Sequence, residues 1–224
     1  MFEALFNPEN AFMSFINKVI DLVVLSIVFT LCCIPIVTIG TAWAALYYAV
    51  VKTVRRHRSY AVREFWHAFK DNLRQGVIVH IIWLLFAFMM LVTDLPLVLT
   101  LLESGKVQNV ILLILFGMKA FILLGAVCWV YPLMSRFRES LWKLLQASVF
   151  NLLRCFLITL LSVVFVVIAV ASVVLEPLLL SFVPGLMMLV LSLIQEPVLR
   201  KLCREQATNS ENKDMEEKDT WYLE

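Results

Sequence analysis

The sequence predicts an all-α protein, a polytopic transmembrane helical bundle with five spans. The first observation behind this prediction is composition: 62% of the 224 residues are hydrophobic and 16% are charged, whereas soluble domains are about 45–50% apolar and about 25% charged. The second is that the apolar residues form long runs of about 20 residues, the length that crosses roughly 30 Å of hydrocarbon. The third is that the basic residues cluster in alternate connectors between these runs.

Five long apolar runs are the predicted spans, and short connectors join them into one membrane domain over residues 1–205. A polar segment rich in Glu and Lys follows at 206–224, and we predict a mobile cytoplasmic tail there. The spans are predicted at about Phe15–Val37, Val77–Leu102, Asn109–Met134, Phe150–Leu175 and Pro177–Gln195.

Two further helices are predicted between spans one and two. The apolar stretch Ile39–Val51 is too short to cross a bilayer, so we expect an interfacial or a re-entrant helix, and the sequence leaves these alternatives open. The segment Glu64–Arg74 is typical of an amphipathic cytoplasmic helix, because Phe65, Phe69 and Leu73 recur at a spacing of four. Its apolar face would lie on the membrane or under the bundle.

The positions of the basic residues predict the orientation of the chain. Most of the 19 Lys and Arg residues fall in the connector between spans one and two, the connector between spans three and four, and the segment after span five. Because cytoplasmic loops carry the excess of positive charge, all three segments should be cytoplasmic. With five spans this places the N-terminus outside and the C-terminus inside. The residues concerned are Lys52, Arg55, Arg56, Arg58, Arg63, Lys70, Arg74, Arg136, Arg138, Lys143, Arg200, Lys201, Arg204, Lys213 and Lys218.

Three segments together form a recognisable pattern: Pro35–Ala42 with the following Ala45–Tyr47, then Glu64–Gln75, then Tyr131–Phe137. This pattern resembles the YesL-like family of bacterial membrane proteins of unknown function. One departure is Ser26, where the family is expected to show Asn. The resemblance implies a bacterial cell membrane and an accessory role in carbohydrate uptake, and it implies no established activity. The signature positions are Pro35, Thr38, Gly40, Phe65, Phe69 and Pro132.

Among the charged residues inside the predicted spans, Asp21, Asp94 and Lys119 form a candidate charge network, and each such charge costs roughly 2.5–3.5 kcal/mol on insertion scales. Asp94 and Lys119 should lie at similar depth in the neighbouring spans two and three, so we predict that they pair, with Asp21 as the other candidate partner of Lys119. Such a pair could fix helix register or line a polar pocket for a solute or coupling ion. Lys119 could instead extend toward the outer interface.

The dipeptide Pro184-Gly185 lies within predicted span five. Proline inside a helix frees a backbone carbonyl and kinks the helix, so we predict a helix break there. A packing kink and a broken helix lining a transport site both fit this pattern.

No catalytic, cofactor-binding or metal-binding signature is found in the sequence. The five cysteines form no C-x-x-C pair, and neither a phosphate-binding loop nor a zinc-protease motif occurs. We therefore expect no enzyme and no cofactor, and we expect no nucleic-acid binding, because orientation already explains the basic clusters.

Two classes of function remain after these exclusions. The first is an accessory or regulatory membrane protein, surrounded by lipid, that binds a partner through its basic connector and aromatic helix. The resemblance implies a carbohydrate ABC importer as that partner. The second is a small solute transporter or permease, possibly homo-oligomeric, with a polar site formed by Asp21, Asp94 and Lys119. A transporter should gather these three charges around one enclosed cavity beside Pro184 and Gly185.

Overall fold

The computed structural model describes residues 11–55, 60–104, 108–137 and 140–220, and every regular element in these ranges is helical. Arg56, Arg58 and Arg138, which contributed to the predicted orientation, lie outside the described residues, as do 1–10 and 221–224. The α-helices are α1 (Ala11–Cys32), α2 (Ile39–Ala49), α3 (Ala61–Ser104), α4 (Gln108–Met134), α5 (Leu141–Arg154), α6 (Phe156–Leu175) and α7 (Val183–Thr220). Two 3₁₀ helices lie at Ile36–Thr38 and Pro177–Ser181, and a π-helical segment at Val50–Arg55 extends α2.

Six helical segments of the described chain are long and apolar enough to cross a membrane. Five of them correspond to the predicted spans, which confirms a multi-pass helical architecture. The sixth, Ile36–Val54, is the stretch for which we predicted an interfacial or re-entrant helix.

Helix α2 lies in the interior of the bundle. Its residues Ala44, Ala45, Leu46 and Tyr47 are completely buried, and it packs against α1, α3, α4 and α7. A helix lying at the membrane surface would keep one face toward the lipid headgroups. The burial therefore favours an interior position for this segment over the interfacial one.

Helix α3 is a single element of 44 residues, about 66 Å long at 1.5 Å per residue. The predicted amphipathic helix and span two are therefore one continuous helix. It packs antiparallel to α2, with Thr41 near Leu73 and with Lys52 Nζ 2.6 Å from Glu64 Oε2. The apolar face of its first part is only partly covered by the bundle, because Phe65 is fully buried and Leu73 is exposed.

The chain between spans three and four contains a helix that the sequence analysis missed. Helix α5 is amphipathic, and it ends where Cys155 leaves the helical conformation with φ −113° and ψ 45°. Helix α6 then begins at Phe156, so the predicted start of span four at Phe150 was wrong. No Pro or Gly marks this break, and the polar residues Asn151 and Arg154 precede it.

The predicted helix break at Pro184-Gly185 is also wrong. The break lies earlier, at residues 176–182, and α7 begins at Val183. Pro184 therefore occupies the first turn of α7, where a backbone N–H has no intrahelical partner and proline is well tolerated. The same helix runs on to Thr220, so the tail predicted from residue 206 is helical up to that residue.

Candidate functional site

The signature positions near the end of α1 build a turn. Pro35 O accepts hydrogen bonds from the Thr38 N–H at 3.0 Å and from Thr38 Oγ1 at 2.7 Å. Thr38 Oγ1 also lies 2.6 Å from Cys32 O, the last residue of α1. This geometry satisfies carbonyl groups that the end of a helix leaves without partners. Pro35 and Thr38 therefore have a structural explanation.

Gly40 and Gly76 permit close approach between helices. A Cβ atom at Gly40 would lie 2.7 Å from the Tyr131 hydroxyl, and one at Gly76 would lie 2.9 Å from Thr41 Cα. The Tyr131 hydroxyl is also 2.8 Å from His80 Nδ1, and both residues are buried. Tyr131 of α4 therefore contacts both Gly40 of α2 and His80 of α3, so the three helices pack together at one level of the bundle.

The remaining signature positions are packing residues. The rings of Phe65 and Phe69 stack with centroids 6.0 Å apart. Pro132 is buried in the last turn of α4, and its carbonyl accepts a hydrogen bond from Ser135 Oγ at 2.7 Å. The signature positions therefore have roles in chain turning and helix packing.

Ser26 has a larger structural role than the sequence analysis gave it. It is completely buried, and its Oγ donates to Leu22 O at 2.8 Å while accepting a hydrogen bond from the Gly185 N–H at 2.8 Å. One hydroxyl therefore joins α1 to the first turn of α7. A small polar residue in an apolar run was the signal for this contact, because such residues often make interhelical hydrogen bonds in membranes.

A buried ion pair joins the end of α4 to α7. Arg136 Nη2 lies 2.7 Å from both carboxylate oxygens of Glu196, whose side chain is 1% exposed. Arg200 Nε lies 3.2 Å from the same carboxylate, but its own side chain is 54% exposed. The sequence analysis missed this pair, since it used Arg136 only for orientation and the partners are 60 residues apart.

Arg136 also lines a polar groove. This groove, with a volume of about 550 Å³, lies between the C-terminal part of α2, the first part of α3 and the residues that follow α4. Polar and charged residues predominate along it, and they include Arg74 and Arg136. The lining residues are Tyr48, His67, Ala68, Asp71, Asn72, Arg74, Gln75, Met134, Ser135 and Arg136.

The intramembrane charges are only partly brought together. Lys119 Nζ lies 3.0 Å from Asp94 Oδ2 and 3.1 Å from Oδ1, so the structure pairs Lys119 with Asp94. Both line an open groove between α3 and α4 to which neither Asp21 nor Pro184 and Gly185 contribute. Asp21, on α1, forms no salt bridge with a described residue. The enclosed three-charge cavity expected of a transporter is therefore not found among the described residues.

If the Lys119–Asp94 pair stabilises the fold, Lys119→Ala should lower the free energy of unfolding, because it leaves an uncompensated carboxylate in the span. Adding Asp94→Ala should restore part of the loss. The coupling energy of the double-mutant cycle, measured by denaturant titration of the purified protein in detergent, should be about 0.5–3 kcal/mol. Strictly additive losses would rule out the coupling.

Within the described ranges, no cluster of three or more His, Cys, Asp or Glu side chains could hold a metal ion. Cys32, Cys33, Cys128 and Cys155 are free thiols.

The helices and the groove define a multi-pass α-helical membrane protein. Residues 21–94 match the model of a family described as "Protein of unknown function, DUF624", which is the family that contains the YesL-like proteins. The matched segment is less than half of the 224 residues. It runs from Asp21 to Asp94 and includes five of the six signature positions; Pro132 lies beyond it. No curated protein and no solved structure matches the chain.

Proposed function

We propose that this chain is a non-catalytic accessory protein of a bacterial cytoplasmic membrane that binds another membrane protein through its polar groove. In this proposal the N-terminus is outside and the groove and the C-terminus are cytoplasmic, as the distribution of Lys and Arg favours. The groove is the single observation that carries the proposal. It collects charged side chains at the same end of α3 as the basic connector, away from the Asp94–Lys119 pair.

The chemistry of the groove favours an acidic segment as its ligand. Arg74 is exposed and has no salt bridge to any described residue. The Arg136 guanidinium is already held by Glu196, and its Nε is buried, so a ligand in the groove would meet the guanidinium of Arg74. An exposed guanidinium suits a carboxylate, which it binds with planar geometry. Asp71 on the same wall adds selectivity, since it would repel a uniformly acidic ligand.

The resemblance to the YesL-like family supplies the expected partner. A carbohydrate ABC importer would present cytoplasmic loops of its membrane subunits beside a neighbouring multi-pass protein. The alternative function, solute transport by this chain alone, has less support because Asp21, Asp94 and Lys119 do not surround one cavity.

The test is charge reversal at two exposed basic residues of α3. Arg74→Glu should reduce the amount of partner that co-purifies in mild detergent by on the order of tenfold, because like-charge contacts in an interface cost several kcal/mol. The matched control is Lys70→Glu, since Lys70 is exposed on the same helix and does not line the groove.

The control variant should retain the partner at the wild-type level. Equal loss in both variants would show that binding follows net charge and not the groove. Full retention in Arg74→Glu would contradict the proposed site.

A further inference from the structure

The second half of α3 and the first half of α4 form a hairpin with exposed apolar side chains on most sides. On α3, the residues between Ile81 and Val92 are exposed except for a half-buried stripe at Trp83, Leu84, Ala87 and Met90. This stripe has the helical period near 3.6 residues, and Trp83 Nε1 donates to Leu123 O of α4 at 3.3 Å. The stripe therefore faces α4, and the other faces of this part of α3 remain exposed. Its exposed apolar residues include Ile81, Ile82, Leu85, Phe86, Phe88, Met89, Leu91, Val92, Ile114, Leu115, Met118 and Ile122.

The Asp94–Lys119 pair lies on this hairpin at one depth. Asp94 is ten residues before the end of α3 and Lys119 is eleven residues after the start of α4, so each lies about 15–17 Å from the end of its helix at the α3–α4 connection. That distance is near the middle of a hydrocarbon layer roughly 30 Å thick.

The two partners of the pair differ in exposure. The side chain of Asp94 is 17% exposed, whereas that of Lys119 is 59% exposed. The ammonium group of Lys119 has three hydrogen-bond donors. Asp94 contacts this group on one side, so the rest of the ammonium surface faces outward. Lipid chains offer no acceptor at this depth, so the bare face of Lys119 is costly.

A groove of about 430 Å³ runs beside the pair, and most of the residues on its walls are apolar. Phe86, Met89 and Ile122 line it together with Asp94 and Lys119. A helix seated in this groove would bury apolar surface and would also contact the two charges. The occupant must therefore supply an apolar face that carries, at the same depth, an acceptor for Lys119.

We propose that the occupant is a second copy of this chain, packed hairpin to hairpin about a two-fold axis along the membrane normal. Such an axis leaves depth unchanged, so Lys119 of each copy meets Asp94 of the other at the same level. The four charges then alternate in sign around the axis and sum to zero. A surface that carries both partners of the pair at one depth is self-complementary, which is what an isologous interface requires.

This interface is independent of the proposed partner-binding function. It lies toward the opposite end of α3 from the groove that contains Arg74 and Arg136. Failure of one proposal leaves the other standing.

The test is a charge-swap pair of variants in differently tagged chains. Asp94→Lys gives each copy two positive groups at this depth, and Lys119→Asp gives each copy two negative groups. Each variant expressed alone should lose self-association by on the order of tenfold or more, because like charges meet in hydrocarbon. Co-expression should restore association between the two tags, since every charge then faces its opposite across the interface.

Failure of the mixture to associate, or a wild-type protein that is monomeric in vesicles, would overturn the proposal. A neutral double variant, Asp94→Leu with Lys119→Met, removes the charges without leaving one unpaired, and it should fold as a monomer by subunit counting in single vesicles. A neutral variant that stays as dimeric as the wild type would also overturn it.

Gly117→Leu is the matched control for this test. Gly117 is two residues from Lys119, so it lies roughly 200° around the helix on another face, and a Cβ atom there meets no atom within 4 Å. This variant should dimerise like the wild type. Loss of dimers in Gly117→Leu would place the interface on the wrong face of α4 and overturn the geometry.

Discussion

Replacing Arg136 by alanine should lower the free energy of unfolding by about 3–5 kcal/mol, the usual cost of removing one partner from a buried ion pair. Glu196 is almost completely buried, and Arg136 Nη2 bridges its two oxygens at 2.7 Å. Without that group the buried carboxylate loses both 2.7 Å contacts, while the 3.2 Å contact to the half-exposed Arg200 remains. Denaturant titration of the purified protein, followed by circular dichroism, measures the change.

Arg200→Ala is the matched control, because it removes the exposed partner of the same carboxylate. Exposed pairs contribute about 0–1 kcal/mol, so this variant should be close to the wild type. The double variant Arg136→Met with Glu196→Leu should recover most of the loss, since a neutral pair of similar volume leaves no buried charge. Equal effects of Arg136→Ala and Arg200→Ala would contradict this explanation.

Gly185→Ala should destabilise the protein by about 1–3 kcal/mol through overpacking. The added Cβ would lie 2.7 Å from both the Leu22 carbonyl oxygen and Ser26 Oγ. The carbonyl belongs to the backbone of α1 and cannot rotate away, so the two helices must separate. Separation would also stretch the 2.8 Å hydrogen bond from the Gly185 N–H to Ser26. The free energy of unfolding in detergent is again the measurement.

Gly117→Ala makes the same substitution as Gly185→Ala at another glycine, but we expect the opposite effect on the free energy of unfolding. Nothing lies within 4 Å of a Cβ at this position, and alanine is favoured over glycine in a helix by roughly 0.5–1 kcal/mol. This variant should therefore be as stable as the wild type or slightly more stable. If both glycine variants shift stability by the same amount, close packing at Gly185 is not the cause.

Much of the helical architecture could be predicted from apolar runs alone. Span three was predicted at 109–134, and α4 occupies Gln108–Met134. The similar depth of Lys119 and Asp94 in neighbouring helices also predicted that they pair, and the structure contains this contact. These predictions depend on length and hydropathy, which are properties of the local sequence.

The errors arose where another part of the fold decides the local structure. We predicted separate helices at Glu64–Arg74 and Val77–Leu102, but α3 continues through Gly76, whose missing side chain makes room for Thr41. Pro184 suggested a kink, but α7 starts one residue earlier and the first turn accepts proline. The helix break lies instead at the 3₁₀ helix Pro177–Ser181, which joins α6 to α7 and packs on α1.

The candidate site was the least predictable part. The groove is formed by segments separated in sequence, from Tyr48 to Arg136, and no periodic pattern shows that they meet. Arg136 was interpreted as a cytoplasmic charge. Glu196 directly follows the predicted end of span five, so its sequence position alone indicated no partner. Their contact depends on how α4 and α7 pack, which the sequence of either helix alone does not determine.

Purification of the wild-type chain from its native membrane in mild detergent, with mass spectrometry of what accompanies it, tests the central claim most directly. The proposal predicts a stoichiometric membrane-protein partner and no solute flux when the chain alone is reconstituted in liposomes. Recovery of the chain without a partner, together with solute flux in those liposomes, would contradict the accessory role and support transport by this protein alone.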